Sequence, residues 1–304
     1  MKTLPKWAGP FTAALDSEPV LVTALLAYAA GDAFGVFYEF QPISAHSIEQ
    51  KMKGKDGWPF GGVSDDTLLT LLTLESLIEL SPEGSAANFL NSLRANVAKL
   101  RGLGPTTRSA LGLPVRADER GEIGNTNGAI MRTALMGLFF TADEGHTRRT
   151  WVESLVKTTH SSPKALACAQ ITAAIFSNYE EPISLAIGRE LTEIGDVPSD
   201  VNSMVLSRES WIPPQEGISL DPLETLLAVL WVVERAENCA DAYALACSLG
   251  GDTDTVAALA GALTSLRQKS SEEFFAIEWL KDIEWSEIVE GVNTVAKIKS
   301  GRNE

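Results

Sequence analysis

The feature that most constrains the fold is the helical spacing of apolar residues. Apolar side chains recur three and four positions apart in six segments, 68–80, 86–100, 165–177, 223–237, 241–249 and 255–267. Strand-like alternation between turn pairs is hard to find. Ala-rich runs such as "SPKALACAQITAAIF" favour helices that pack closely together. The sequence therefore predicts an all-α protein.

Three stretches rich in Gly, Pro and Asn separate the helical segments. They cover 40–64, 102–127 and 195–222, and we expect them to be irregular loops that carry functional residues. The chain has neither a fixed-period repeat nor a low-complexity linker. We therefore expect a single domain over residues 1–304.

Composition excludes several classes of protein. A net charge of −15 argues against a nucleic-acid binder or a protein of anionic membrane surfaces. The longest apolar run meets Gly31 and Asp32 after about a dozen residues, too few to span a bilayer, and the N-terminus lacks the apolar core of a signal peptide. We expect a cytoplasmic protein. Its three cysteines, Cys168, Cys239 and Cys247, show no CxxC spacing and are expected to be buried thiols.

Two distant stretches share one unusual pattern. In "FGGVSDDTLLTLLTLESLIEL" and "SLGGDTDTVAALAGAL" a glycine pair precedes two carboxylates with neighbouring hydroxyls, and an apolar helix follows. Helix capping needs one such residue, so each motif alone is equally consistent with an elaborate cap or a metal site. If the motifs converge, Asp65, Asp66, Asp252 and Asp254 would repel one another unless cations lay among them. Oxygen ligands of this kind suit Mg²⁺, Mn²⁺ or Ca²⁺, and two ions would balance the four charges.

Three further stretches carry candidate chemistry. "GDAFGVFYEF" is either a helix end with a Gly bend or a source of two carboxylates, Asp32 and Glu39, whose apolar surroundings would raise the pKa for acid–base work. "GEIGNTNGAIMRTALMGLFF" runs from an Asn/Gly turn into a helix and could approach a phosphate, although it is not a P-loop. His160 precedes a helix in "TTHSSPKALACA", a position that is more often structural than catalytic.

Six stretches taken together resemble the ADP-ribosylglycohydrolase family, over roughly residues 21–266. They are "AAGDAFGVFYEF", "GGVSDDTLL", "GLGPTTRSAL", "NGAIMRTALMGL", "THSSPKALACA" and "SLGGDTDTVAALAGAL", and they occur in the order expected of that family. The resemblance implies a compact, orthogonal multi-helix bundle with two Mg²⁺ or Mn²⁺ ions. It also implies hydrolysis of the bond that joins ADP-ribose to a modified protein side chain.

The resemblance also assigns roles to individual residues. It implies that the metal ligands are Ser64, Asp65, Asp66, Asp252, Asp254 and Thr255. It makes Glu39 the acid–base or water-orienting group beside the catalytic Asp65, Asp66 and Asp252. The residues implied to line the ADP-ribose are Asn127, Gly128, His160, Gly102, Gly104 and Thr106.

The sequence departs from the family pattern in three places. Ser64 stands where the family more often has Thr, "NSLRANVAKLRGLGP" lacks an Asp that some members use at the metals, and "GALTSLRQKS" replaces the usual "GALxGAxYG". These departures leave the implied metal ligands intact.

The expected activity is removal of ADP-ribose from arginine side chains of proteins. Ser-, Thr- or nucleobase-linked ADP-ribose and a catalytically silent ADP-ribose binder stay open, although the full carboxylate set argues against silence. An unrelated all-α diphosphate enzyme is disfavoured because "SDDTLLT" lacks the third carboxylate of DDxxD. The oligomeric state stays open.

Overall fold

A computed structural model describes residues 4–41, 48–268 and 271–302, and within these ranges the chain is almost entirely helical. Its α-helices are α1 Thr12–Ser17, α2 Pro19–Gly35, α3 Asp65–Glu75, α4 Pro82–Asn96, α5 Pro105–Ala110, α6 Gly128–Thr133, α7 Gly145–Val156, α8 Pro163–Ser177, α9 Ile183–Ile194, α10 Ser199–Leu206, α11 Pro222–Val233, α12 Cys239–Leu249, α13 Thr253–Arg267, α14 Glu272–Phe275 and α15 Val289–Arg302.

Short 3-10 segments extend or join these helices. They are Lys6–Phe11, Ser76–Ile78, Val97–Lys99, Ala117–Glu122, Ala134–Phe139, Ala142–Glu144, Arg208–Ser210, Glu278–Asp282 and Trp285–Glu287. Among the described residues the β-structure is a single isolated parallel bridge between Ile218 and Gly251. No helix in the described ranges is long and apolar enough to cross a membrane.

The all-α prediction is confirmed, and each of the six periodic segments overlaps one helix. The loop prediction is wrong in two places. The stretch 102–127 contains α5 and a 3-10 segment, and 195–222 contains α10, because Pro105 and Ser199 begin short helices that lack a long apolar period. Residues 42–47, which are part of the remaining predicted loop at 40–64, lie outside the described residues.

The first of two compact units contains the described residues of Met1–Leu71, Pro213–Ile218 and Ala228–Glu304. Two helices at its centre are buried on all sides, α2 from Leu21 to Gly35 and α13 from Thr253 to Ser265. A methyl group on Gly31 would lie 2.3 Å from the carbonyl oxygen of Ala257, so only glycine allows the two helix backbones to approach this closely. The unit is thus organised around one tight helix pair.

The second unit contains Leu72–Ile212 and Ser219–Leu227. Its central helix is α8, which is buried along most of its length and packs against the segment Ala134–Phe139. A buried ion pair joins α7 to α9, with Arg148 Nη2 2.5 Å from Glu190 Oε2. The prediction of a single domain over residues 1–304 stays a prediction.

The three cysteines are free and buried, as expected. Burial raises the pKa of each thiol above its ordinary value. The thiols therefore stay protonated and pack as small apolar groups.

Candidate functional site

The contact between α2 and α13 places the second acidic motif. A methyl group on Gly35 would lie 2.4 Å from the Cα of Asp254, and the Thr253 hydroxyl donates a hydrogen bond to the Gly35 carbonyl oxygen at 2.9 Å. The start of α13 is therefore held against the end of α2. Gly35 thus fixes the position of the backbone that carries Asp254.

Asp32 on α2 holds the first acidic motif. Its carboxylate accepts hydrogen bonds from the Ser64 amide at 2.9 and 3.1 Å, the Thr67 amide at 3.0 Å and the Thr67 hydroxyl at 2.5 Å. Burial raises the pKa of Asp32 to about 6 against the opposing effect of these hydrogen bonds. Asp32 lies inside α2, and the helix ends at Gly35 within the stretch "GDAFGVFYEF", so this stretch is a helix end as well as the source of a buried carboxylate.

A glycine turn positions Asp252. Gly250 and Gly251 both have positive φ angles, 70° and 73°, and a methyl group on Gly251 would lie 2.0 Å from the Ile218 carbonyl oxygen. That same oxygen accepts a hydrogen bond from the Asp252 amide at 2.8 Å. The Gly251 carbonyl in turn accepts a hydrogen bond from the Phe40 amide at 2.8 Å, which ties the segment after Glu39 to this turn. The glycine pair therefore sets where Asp252 and Glu39 meet.

These elements bring five carboxylates together, which we call the acidic cluster. It consists of Glu39, Asp65, Asp66, Asp252 and Asp254. One oxygen from each of Glu39, Asp252 and Asp254 lies within 4.8 Å of the others. The Thr255 hydroxyl hydrogen-bonds to the Asp66 carboxylate, and Asp252 is a neighbouring charge of Asp66. The two motifs, which lie 252 − 66 = 186 positions apart, therefore converge.

Electrostatics in the acidic cluster are unfavourable without a counter-charge. Burial is the largest cause that raises the pKa of Asp65, Asp66 and Asp254, and neighbouring carboxylates add to it. Asp32 is the first of these neighbours for Asp65 and Asp66, and Glu39 is the first for Asp254. A buried group of this kind needs protons or cations to neutralise it.

The donor atoms fit a hard divalent cation. Asp66 Oδ2 is buried and accepts no hydrogen bond from a described residue. The buried Thr255 hydroxyl contacts the Asp66 carboxylate, and the Ser64 hydroxyl lies one residue before α3. Carboxylate and hydroxyl oxygens, with no sulfur or imidazole among them, are the ligands that Mg²⁺ and Mn²⁺ prefer.

Helix capping explains only part of the two motifs. Ser64 Oγ accepts a hydrogen bond from the Asp66 amide at 3.0 Å, as a cap would. Asp252 precedes α13, but its side chain accepts no capping hydrogen bond from that helix. Capping by Asp252 therefore does not account for the second motif.

Lys55 is a residue of this site that the sequence analysis missed. Its ammonium lies 2.6 Å from Glu39 Oε2 and 5.3 Å from the centre of the Trp58 ring. Lys55 is the last of three alternating lysines, with Lys51 and Lys53, and their spacing does not indicate which of them meets Glu39. Lys55 brings one positive charge to the edge of the acidic cluster.

The second unit brings together most of the residues implied to line ADP-ribose. Gly128 begins α6, and a methyl group there would lie 3.4 Å from His160 Cε1. The Asn127 amide donates to the Leu220 carbonyl oxygen at 2.8 Å, and its side chain donates to Thr225 Oγ1 at 2.9 Å. Thr106 and His160 both hydrogen-bond to Thr126.

Gly102 and Gly104 lie just before α5. Gly102 has a φ of 92°, which favours glycine, and Gly104 is the last residue before the helix. A methyl group on Gly104 would meet no atom within 4 Å. Their role in binding stays a prediction.

A model of the ADP-ribosylglycohydrolase family matches residues 20–300 of the chain. The chain belongs to the ADP-ribosylglycohydrolase family. Two bacterial relatives are named ADP-ribosylarginine hydrolase Tri1. The protein of Pseudomonas putida (strain GB-1) is 28% identical over 94% of this chain and 81% of its own length. That of Serratia proteamaculans (strain 568) is 27% identical over 78% of this chain and 68% of its own length.

A solved structure, an ADP-ribosylglycohydrolase-related protein complex, shares the fold. It superposes with a TM-score of 0.71 at 24% identity, over 92% of this chain and 98% of that one. The predicted family and the predicted fold are thereby confirmed. The family gives the chain a glycohydrolase type of chemistry, and the acidic cluster is a group that could bind metal.

Proposed function

We propose that this ADP-ribosylglycohydrolase releases ADP-ribose from mono-ADP-ribosylated arginine side chains of proteins and that it depends on divalent metal. The observation that carries the proposal is the convergence of two distant acidic motifs into one buried cluster with an unsatisfied Asp66 oxygen. The choice of arginine is supported by the two relatives named ADP-ribosylarginine hydrolase.

The metal would be held by six residues of the first unit. They are Ser64, Asp65, Asp66, Asp252, Asp254 and Thr255, with two Mg²⁺ or Mn²⁺ ions as the proposed number. Divalent cations supply Lewis-acid polarisation of the ribose hydroxyls and stabilise charge near the anomeric carbon. The four aspartates would balance those two ions, which would remove the repulsion among the carboxylates.

Glu39 is the proposed acid–base group. The reaction breaks the bond between the anomeric carbon and the guanidine nitrogen, and water supplies the new oxygen and the proton that the guanidine takes. Lys55 holds one carboxylate oxygen of Glu39, so the other oxygen is the one that can orient water and accept its proton. Asp32 keeps α3 in place, so the first motif faces the reaction from a rigid helix.

The linkage is tested with two substrates presented to the full chain. One is a protein that carries ADP-ribose on arginine, and the other carries it on serine. We expect release of ADP-ribose from arginine in Mg²⁺ or Mn²⁺ and much slower release from serine. Release from serine alone would overturn the arginine assignment, and tight ADP-ribose binding without any release would identify a silent binder.

A further inference from the structure

His160 has both ring nitrogens occupied by protein groups. The ring is buried, Nδ1 lies 2.8 Å from the Thr159 hydroxyl, and Nε2 lies 3.1 Å from the Thr126 hydroxyl. A neutral imidazole has one donor and one acceptor nitrogen, so these two contacts use its whole hydrogen-bonding capacity. A substrate atom could bind a ring nitrogen only by displacing one of these threonines.

The chain of hydrogen bonds beyond Thr126 shows which nitrogen carries the proton. The Glu122 carbonyl can only accept, and it takes a long hydrogen bond of 3.5 Å from Thr106 Oγ1. Thr106 Oγ1 then accepts from the Gly124 amide at 3.0 Å and from the Thr126 hydroxyl at 2.9 Å. The Thr126 hydroxyl donates its proton to Thr106 Oγ1, so the Thr126 oxygen must accept a hydrogen bond from His160. Nε2 is therefore the protonated nitrogen.

The hydrogen bonds on the Nδ1 side of the ring indicate the same tautomer. A guanidinium can only donate, and Arg132 Nη2 donates to Thr159 Oγ1 at 2.9 Å. With the reverse tautomer, Thr159 would accept from both Arg132 and His160, and its own proton would have no acceptor among its hydrogen bonds to described residues. When Nδ1 carries no proton, the Thr159 hydroxyl donates a hydrogen bond to Nδ1.

The same residues hold the loop implied to line ADP-ribose. Thr126 is followed directly by Asn127 and Gly128, and the Gly128 position lies against the His160 ring. The charge of Arg132 adds to burial in lowering the pKa of His160 to about 3, so the ring stays neutral. A neutral ring with a fixed tautomer is a rigid brace between the His160 segment and the Asn127 loop.

We propose that His160 is a positioning residue, held by Arg132 and Thr159 as the neutral Nε2–H tautomer so that Thr126 presents Asn127 and Gly128 to ADP-ribose. The ring neither exchanges a proton with the substrate nor binds it through nitrogen. Only the assignment of this loop to ADP-ribose rests on the proposed function; the tautomer and the hydrogen-bond order do not.

Nitrogen-15 NMR of the full chain labelled at histidine tests the tautomer directly, since the chain has three histidines and His160→Gln assigns the signal. We expect one imidazole that stays neutral and protonated at Nε2 down to about pH 4, with and without ADP-ribose. A ring that titrates near its ordinary pKa, carries its proton at Nδ1, or changes tautomer with ADP-ribose would overturn the proposal. This readout needs no turnover, so it is independent of the proposed function.

Thr126→Val and Thr126→Ser test the positioning role in the same protein. The valine variant removes the acceptor for Nε2–H, and we expect ADP-ribose Kd and substrate KM to rise about tenfold with kcat little changed. Serine restores the hydroxyl and should restore both values. Thr158→Val is the matched control, because Thr158 accepts from Arg132 without touching the ring. A Thr126→Val protein with unchanged Kd, or one that loses kcat alone, contradicts the positioning role.

Discussion

Gly35→Ala tests whether the contact between α2 and α13 sets the geometry of the acidic cluster. The added methyl carbon would lie 2.4 Å from Asp254 Cα, whereas ordinary contacts begin near 3.4 Å, so one backbone must move by about 1 Å. Overpacking of this kind costs about 1–3 kcal/mol of the free energy of unfolding. Metal ligands tolerate errors of roughly 0.2 Å, so we expect Mn²⁺ to bind at least about tenfold more weakly.

Calorimetry and denaturant unfolding of the purified chain measure both effects. Gly188→Ala is the matched control, because this glycine also lies inside a helix but a methyl group there would meet no atom within 4 Å. We expect the control to gain roughly 0.5–1 kcal/mol of stability and to keep its Mn²⁺ affinity. A Gly35→Ala protein that binds Mn²⁺ as tightly as the parent would refute the reasoning.

Three further predictions follow from charges in the two units. Lys55→Met removes a positive charge from the edge of the acidic cluster and should tighten Mn²⁺ binding about tenfold. Lys53→Met is the control, because it leaves Glu39 paired with Lys55 and should not change Mn²⁺ affinity. Equal effects of the two substitutions would contradict the placement of Lys55 at the acidic cluster. Arg148→Met leaves Glu190 buried beside Arg149 alone and should cost about 3 kcal/mol in urea unfolding, most of it recovered when Glu190→Leu is added. In EDTA the raised pKa values of the buried aspartates mean that the folded protein binds more protons than the unfolded chain. The free energy of unfolding should therefore rise as pH falls towards the ordinary aspartate pKa of about 4, with a smaller slope in Mn²⁺. An equal slope in both would contradict the metal assignment.

Periodicity located six helices, because each buries an apolar face and leaves a spacing that can be read from the sequence: α3, α4, α8, α11, α12 and α13. The six predicted segments do not include α7, α9 or α15, which are 12 to 14 residues long. Periodicity could not locate α5 and α10, since short helices contain too few residues to show a period. It also did not mark α2 as an amphipathic helix, because every residue from Leu21 to Gly35 is buried and the helix has no polar face.

The acidic residues of the candidate site could be predicted because two matching motifs had no common local cause. Their supports could not, because each acts through a contact distant in sequence. Asp32 accepts from amides 32 and 35 positions away, and Lys55 contacts Glu39 from 16 positions further along the chain. The spacing of Gly31 and Gly35 on one helix face is a further sign of close packing, which the sequence analysis did not use.

The most direct test of the central claim measures ADP-ribose release from a mono-ADP-ribosylarginine protein in Mn²⁺, in Mg²⁺ and in EDTA. The parent chain is compared with Asp65→Asn, Asp252→Asn and the exposed control Asp56→Asn. We expect metal-dependent release by the parent and the control, abolished by EDTA and by either cluster variant. Release that survives EDTA, or that persists in both cluster variants, would show that the acidic cluster is not the centre of the reaction.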